Sequence, residues 1–156
     1  MSGLFEFSGR CHCGNISYRF ESPIPKTDLP LRSCDCSFCT KQGAIYTSHP
    51  QGRLRVQVAD ADSIRWYRYG SETAEVLLCS VCGVFPLITC NIDDRLYAAL
   101  NANSISGLHV DRQRIASYQH PEHDEVELLR RRQENWIGDV EIQENRAPRG
   151  IDPSFF

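Results

Sequence analysis

The chain has 156 residues, 41% of them hydrophobic, with 17 basic against 20 acidic side chains and a net charge of −3. That length suits one domain with a real core, and a slightly acidic balance without basic clusters on the strand-like segments argues against nucleic acid as a partner. The longest apolar stretches, such as Val76-Leu77-Leu78, fall far short of a membrane span. Met1 to Arg10 also lacks the apolar core of a secretory signal, so the expected location is cytoplasmic, with no membrane partner.

Period-two alternation runs through the first hundred residues. Ile16, Tyr18 and Phe20 alternate with polar neighbours, as do Leu54, Val56 and Val58, and both segments are predicted strands. Ile64 to Tyr69, with Ile64 and Trp66 on one side, reads the same way. Ala74 to Cys79 and Phe85 to Thr89 flank a Cys79-to-Cys82 turn, which predicts a hairpin with the cysteines at its tip. Arg95 to Leu100 follows as a strand after the turn Asn91-Ile92-Asp93-Asp94. Turn residues at Pro23 to Pro30, His49-Pro50-Gln51-Gly52 and Gly70-Ser71 separate these runs, and Thr40 to Gly43 suits a short helical turn closed by glycine.

The tail differs. Asp124 is placed to cap a helix from Glu125 to about Gln133, with Val126 and Leu129 on its apolar face and Arg130-Arg131-Arg132 as a solvated one. Arg146 to Phe156 is expected to be irregular. The expectation is a single domain over 1–156, with its core at about 7–101.

Seven of the eight cysteines fall into three tight groups. In a reducing compartment such spacing favours zinc over disulfides. On a strand, Cys11 and Cys13 would point to one side while His12 points away. Cys79-x-x-Cys82 followed by Gly83 is a knuckle, in which the glycine permits a backbone turn that a β-carbon opposes. Cys11, Cys13, Cys79 and Cys82 therefore supply four thiolates for a sealed structural zinc, from segments 68 positions apart (79 − 11). Cys34-x-Cys36-x-x-Cys39 supplies three, the first two on one strand face and the third after a turn. Three thiolates leave a zinc position open. Cys90, a histidine, Asp35, water or an incoming ligand are the candidates to fill it, with Cys90 expected in the core. Such a site can bind a thiol and lower its pKa.

Cys-His-Cys-Gly at 11–14, Cys-Asp-Cys-Ser-Phe-Cys at 34–39 followed by Gly43-Ala44, and Cys-Ser-Val-Cys-Gly at 79–83 together resemble the glutathione-dependent formaldehyde-activating enzyme family, whose domain is shared with centromere protein V. The match runs from about Phe7 to Asn101. The resemblance implies a mainly β fold, a zinc-stapled β-tent with a short C-terminal helix and two zinc ions. By position, Cys11, Cys13, Cys79 and Cys82 would hold the structural zinc, and Cys34, Cys36 and Cys39 the catalytic or exchangeable one. The implied activity is that of a carbon–sulfur lyase acting on a thiol–aldehyde adduct such as S-(hydroxymethyl)glutathione. Glutathione would be the small-molecule partner, and homo-oligomer formation is left open. Arg32 and Lys41 flank the triplet and would reach substrate carboxylates if they are not simply solvated. A non-catalytic, zinc-stabilised module that binds a thiol or a protein is the alternative. A second is a reductase of the zinc-bearing methionine sulfoxide type with Cys90 as nucleophile.

Overall fold

The computed structural model describes residues 3–119 and 124–146. Two sheets carry the fold. Strands β1 (Phe5–Arg10), β2 (Ile16–Ser22), β5 (Arg53–Val58) and β11 (Asp139–Glu144) form the smaller, in the order β1-β2-β5-β11. The larger has seven strands, ordered β10-β3-β4-β9-β8-β7-β6: β10 (Ile115–Tyr118), β3 (Leu31–Cys34), β4 (Ile45–Thr47), β9 (Arg95–Asn101), β8 (Leu87–Ile92), β7 (Glu75–Cys79) and β6 (Ile64–Tyr67). The chain is mainly β, as expected, with a short C-terminal helix.

The alternation seen in the sequence places the core. Ile16, Tyr18 and Phe20 lie opposite Val58, Val56 and Leu54 in antiparallel register, which lines one face of the small sheet with apolar side chains. That face packs on Leu77, Leu87, Ala98 and Leu100 of the large sheet. The opposite face of the large sheet is covered as well, by a cluster containing Val76, Phe85, Ile88 and Ala99. Burial on both faces explains why β8 and β9 read as nearly continuous apolar runs. Trp66, expected on the side of Ile64, departs from the pattern. It is exposed, as is Tyr67, because β6 is the edge of the sheet and only Ile64 in it reaches the core.

The two hairpins around residues 79–82 and 93–94 form as predicted. At the second, β8 continues to Ile92, and Asp93 and Asp94 alone make the turn, both at positive φ, as a twist-compatible two-residue turn requires. Strands β1, β4, β10 and β11 had no counterpart in the sequence reading, and β3 only the strand expected to carry Cys34 and Cys36. β3, β4 and β10 span only three or four residues, and β10 and β11 pair in parallel with β3 and β5, so no hairpin turn announces them.

Two α-helices complete the fold. α1 (Ser37–Gln42) starts earlier than the predicted turn and ends, as predicted, at Gly43 in the left-handed conformation. α2 (Glu125–Asn135) is capped by Asp124, whose carboxylate accepts from the Glu127 amide at 3.0 Å. Its buried face is not the expected one. Leu128 and Arg132 are buried, one turn apart, while Val126 is 80% exposed. Arg132 therefore leaves the predicted solvated run, and only Arg130 and Arg131 remain at the surface, where they pair with Glu127 and Glu134. Residues 147–156, most of the segment expected to be irregular, lie outside the described residues. No helix among the described residues is long and apolar enough to cross a membrane.

Asn15, 2% exposed, ties the β1–β2 turn to the β5–β6 connection. Its Nδ2 donates to the Asp60 and Ser63 carbonyls, and its Oδ1 accepts from the Asp60 amide at 2.9 Å. Asn15→Ala would strand these buried groups, so a loss of about 2–3 kcal/mol is expected. In a thermal melt this should appear as a fall of roughly 5–10 °C.

Candidate metal centre

Cys11 and Cys13 do not sit on a strand. They occupy the turn between β1 and β2, where the Gly14 amide bonds back to the Cys11 carbonyl and Gly14 takes φ +87°. Cys79 ends β7, and the Gly83 amide closes a turn onto its carbonyl with φ +80° at the glycine. The two turns face each other, and the four sulfurs lie within 4.8 Å of one another. Cys11 Sγ to Cys13 Sγ is 3.7 Å and Cys13 Sγ to Cys79 Sγ is 3.5 Å. A tetrahedral zinc with bonds of about 2.3 Å sets its sulfurs about 3.8 Å apart. A disulfide needs about 2.0 Å, and all of these cysteines are free thiols. The donor set and spacing fit a metal ion. Backbone amides of Ile16 and Cys82 point at the Cys11 and Cys79 sulfurs, donors that would stabilise thiolates on a bound metal ion.

Titration in this cluster is uneven. Burial pushes the Cys11 thiol far up, and it pushes Cys13 up to about 11. Burial opposes the charged form of Cys82 too, yet hydrogen bonds from the backbone amides of Cys13 and Val84 and from the Cys79 and Cys11 side chains together outweigh it and bring that thiol down to about 7. His12 is exposed beside the cluster and contributes no ligand to it.

The second group lies on the opposite face of the large sheet. The expected shared strand face for Cys34 and Cys36 is replaced by a strand-to-helix junction. Cys34 ends β3, Cys36 is the N-cap of α1 with its sulfur accepting from the Cys39 amide at 3.4 Å, and Cys39 lies in the first turn of the helix. The three sulfurs again lie within 4.8 Å of one another. No fourth cysteine, histidine or carboxylate among the described residues joins them. Cys90 is 1% exposed in a separate cluster with Ile92 and Tyr97, the core position expected for it.

Two tyrosines that the sequence reading did not single out meet these sulfurs. The Tyr46 hydroxyl is 3.1 Å from Cys39 Sγ, and the Tyr69 hydroxyl is 3.3 Å from Cys36 Sγ. Tyr69 reaches in from the β6–β7 connection, stacked with Tyr67 and tilted against Phe38. Burial, reinforced by the neighbouring sulfurs, pushes both phenols up, so each keeps its proton and donates it to sulfur. The hydrogen bond from the Cys34 thiol, helped by those phenols, lowers Cys39 to about 5. Cys34 is correspondingly raised.

The triplet opens into a cavity of about 1170 Å³. Its floor is the β10-β3-β4 face of the large sheet and its wall is α2. Arg32 sits two residues before Cys34 on β3, opposite Tyr46 on β4, and Tyr118 lies opposite Cys34 on β10. Arg132 and Trp136 face them from the helical side. Lys41, the other cation flanking the triplet, is exposed in the last turn of α1 and does not line the cavity.

The model of the glutathione-dependent formaldehyde-activating enzyme family matches residues 6–115. The chain belongs to that family. Among solved structures, that of a Rhodobacter sphaeroides protein is similar at 28% identity, covering 68% of this chain and 92% of that one with a TM-score of 0.48. The family match takes in every cysteine of both clusters and both tyrosines. It stops where β10 begins, so the helical wall of the cavity lies beyond it.

Proposed function

We propose that the protein is a carbon–sulfur lyase-type enzyme that joins a thiol to an aldehyde and splits the adduct again. Glutathione and formaldehyde are the pair that the family description names. The observation that carries this reading is the contrast between the clusters. One has four sulfurs in closed packing, and the other has three at the head of a cavity.

On this reading Cys11, Cys13, Cys79 and Cys82 would hold a structural zinc, and Cys34, Cys36 and Cys39, at the head of the cavity, would hold a second. A zinc ion so held lowers the pKa of a bound thiol, making thiolate available at neutral pH. Tyr46 and Tyr69 spread the charge of the cysteine sulfurs by hydrogen bonding and fix their orientation. The cavity walls hold the aldehyde against the thiol. In the synthetic direction the substrate sulfur bonds to the carbonyl carbon, the carbonyl π pair moves to oxygen, and that oxygen takes up the proton the thiol gives up. The lyase direction breaks the same carbon–sulfur bond and returns the proton to sulfur.

Exchange-NMR of glutathione and formaldehyde with micromolar protein carrying two zincs per chain tests the assignment. Interconversion well above the uncatalysed rate is expected. No acceleration would leave a thiol-binding module in place of an enzyme for that pair. Tyr46→Phe and Tyr69→Phe should each weaken metal binding at the triplet by about 10–100-fold, read by competition with a chromophoric chelator, while the four-cysteine cluster keeps its metal.

A further inference from the structure

Among the described residues, two arginines on the cavity wall, Arg132 buried and Arg32 half-buried, have no counter-ion. Arg132 is 7% exposed. Its Nη1 donates to the Thr73 hydroxyl at 2.8 Å and to Cys90 Sγ at 3.4 Å, and its guanidinium lies 5.0 Å over the Trp136 ring, so every partner it has among the described residues is neutral. Arg32 donates from Nη2 to the Ser48 hydroxyl at 2.6 Å, and that hydroxyl donates on to the Asn135 carbonyl at the end of α2. Among the described residues neither guanidinium has a carboxylate within 4.0 Å. Arg130 and Arg131 on the same helix are paired with Glu127 and Glu134. Among the described residues Arg132 uses only Nη1 as a donor and Arg32 only Nη2. Removing a cation from water is costly unless an anion or further hydrogen bonds compensate it. A protein that leaves two such groups facing one cavity is arranged to receive an anion there. Arginine's planar fork matches a carboxylate, two donors to two oxygens.

We propose that Arg32 and Arg132 form a carboxylate subsite that holds an acid group of the thiol substrate between sheet and helix while its sulfur lies at Cys34, Cys36 and Cys39. The proposal rests on the reading that the triplet receives a thiol. It adds the part of the substrate that is recognised, and it puts that recognition on α2, outside the residues matched by the family. Arg32 is two residues from Cys34 on β3, and side chains at that spacing point to the same face, about 7 Å apart along the strand. A compact mercapto-acid can span that distance.

The test uses zinc-loaded full-length protein and three probes: mercaptosuccinate (thiol and acid), succinate (acid alone) and 2-mercaptoethanol (thiol alone). Binding is followed by calorimetry and by Trp136 fluorescence in a Trp66→Phe background. Wild type should bind mercaptosuccinate at least about tenfold tighter than 2-mercaptoethanol, the scale of one charge-assisted pair. Arg132→Gln should remove most of that advantage and weaken succinate in parallel, leaving 2-mercaptoethanol unchanged. Arg132→Lys, which keeps the charge and loses the fork, should fall between. Equal binding of the two thiols by wild type would overturn the subsite without any variant, as would an equal loss of both thiols in Arg132→Gln. Succinate separates the subsite from the reading beneath it. If wild type binds succinate through Arg132 but neither thiol gains from its sulfur, the thiol reading of the triplet falls and the subsite stands. If succinate does not bind to wild type or to Cys36→Ser, the subsite falls.

Discussion

Cys13→Ser should not yield a stably folded protein. Cys13 is fully buried, and its sulfur touches both Cys11 and Cys79 at tetrahedral spacing. The four-cysteine cluster belongs to the core between the sheets, alongside Ile16, Ile64 and Leu77. If the cluster holds zinc, ligation contributes on the order of 10 kcal/mol, comparable to the whole net stability of about 5–15 kcal/mol of an ordinary domain. Losing one ligand would remove much of that and leave thiols that must pack as poor apolar groups. The expected result is loss of the cooperative melting transition and of one zinc per chain. A variant melting within a few degrees of wild type would show that the cluster is a set of packed thiols. Zinc uptake should also release protons, since Cys11 and Cys13 are held above their ordinary values and stay protonated near neutral pH without metal. Affinity at this site must therefore rise with pH through that range, which calorimetry in buffers of different ionisation enthalpy can read.

Cys36→Ser should do the opposite: keep the fold and lose the chemistry. Cys36 is the N-cap of α1, and serine is among the best N-cap residues, so the helix start survives the exchange. The triplet falls to two thiolates, zinc falls from two per chain to one, and adduct formation should drop towards the uncatalysed rate. If a metal ion contributes about 4 kcal/mol to the transition state, that is roughly three orders of magnitude. Metal analysis beside the melting curve decides the matter. Unfolding of this variant would make the triplet structural, and full activity would move the reaction away from it.

The cysteine grouping was legible because metal-ligand spacing is a local property of the chain, and both groups assemble from the residues singled out. The hairpins at 79–82 and 93–94 were legible for the same reason. Side-chain direction was less so. Cys11 and Cys13 converge through a turn that Gly14 permits, and Cys36 and Cys39 through a helix start, because the ends of elements are set by tertiary hydrogen bonds as much as by pattern. Arg132 is the instructive case. Within Arg130-Arg131-Arg132 nothing local marks it out, and only the docking of α2 on β8 beside Cys90 turns it inward. Tyr46 and Tyr69 were invisible in the same way, since each meets the triplet from a strand or connection brought close by the fold.

The cavity is assembled from two lengths of chain with different duties. All three triplet cysteines come from one six-residue stretch inside the family match, while the facing wall comes from Glu125–Asn135 outside it. Substitutions on the exposed and cavity-facing sides of that helix can change which molecules are admitted while the sulfur geometry stays intact. The arrangement gives such a lineage a route to new substrates in which reactivity is inherited and selectivity is free to drift.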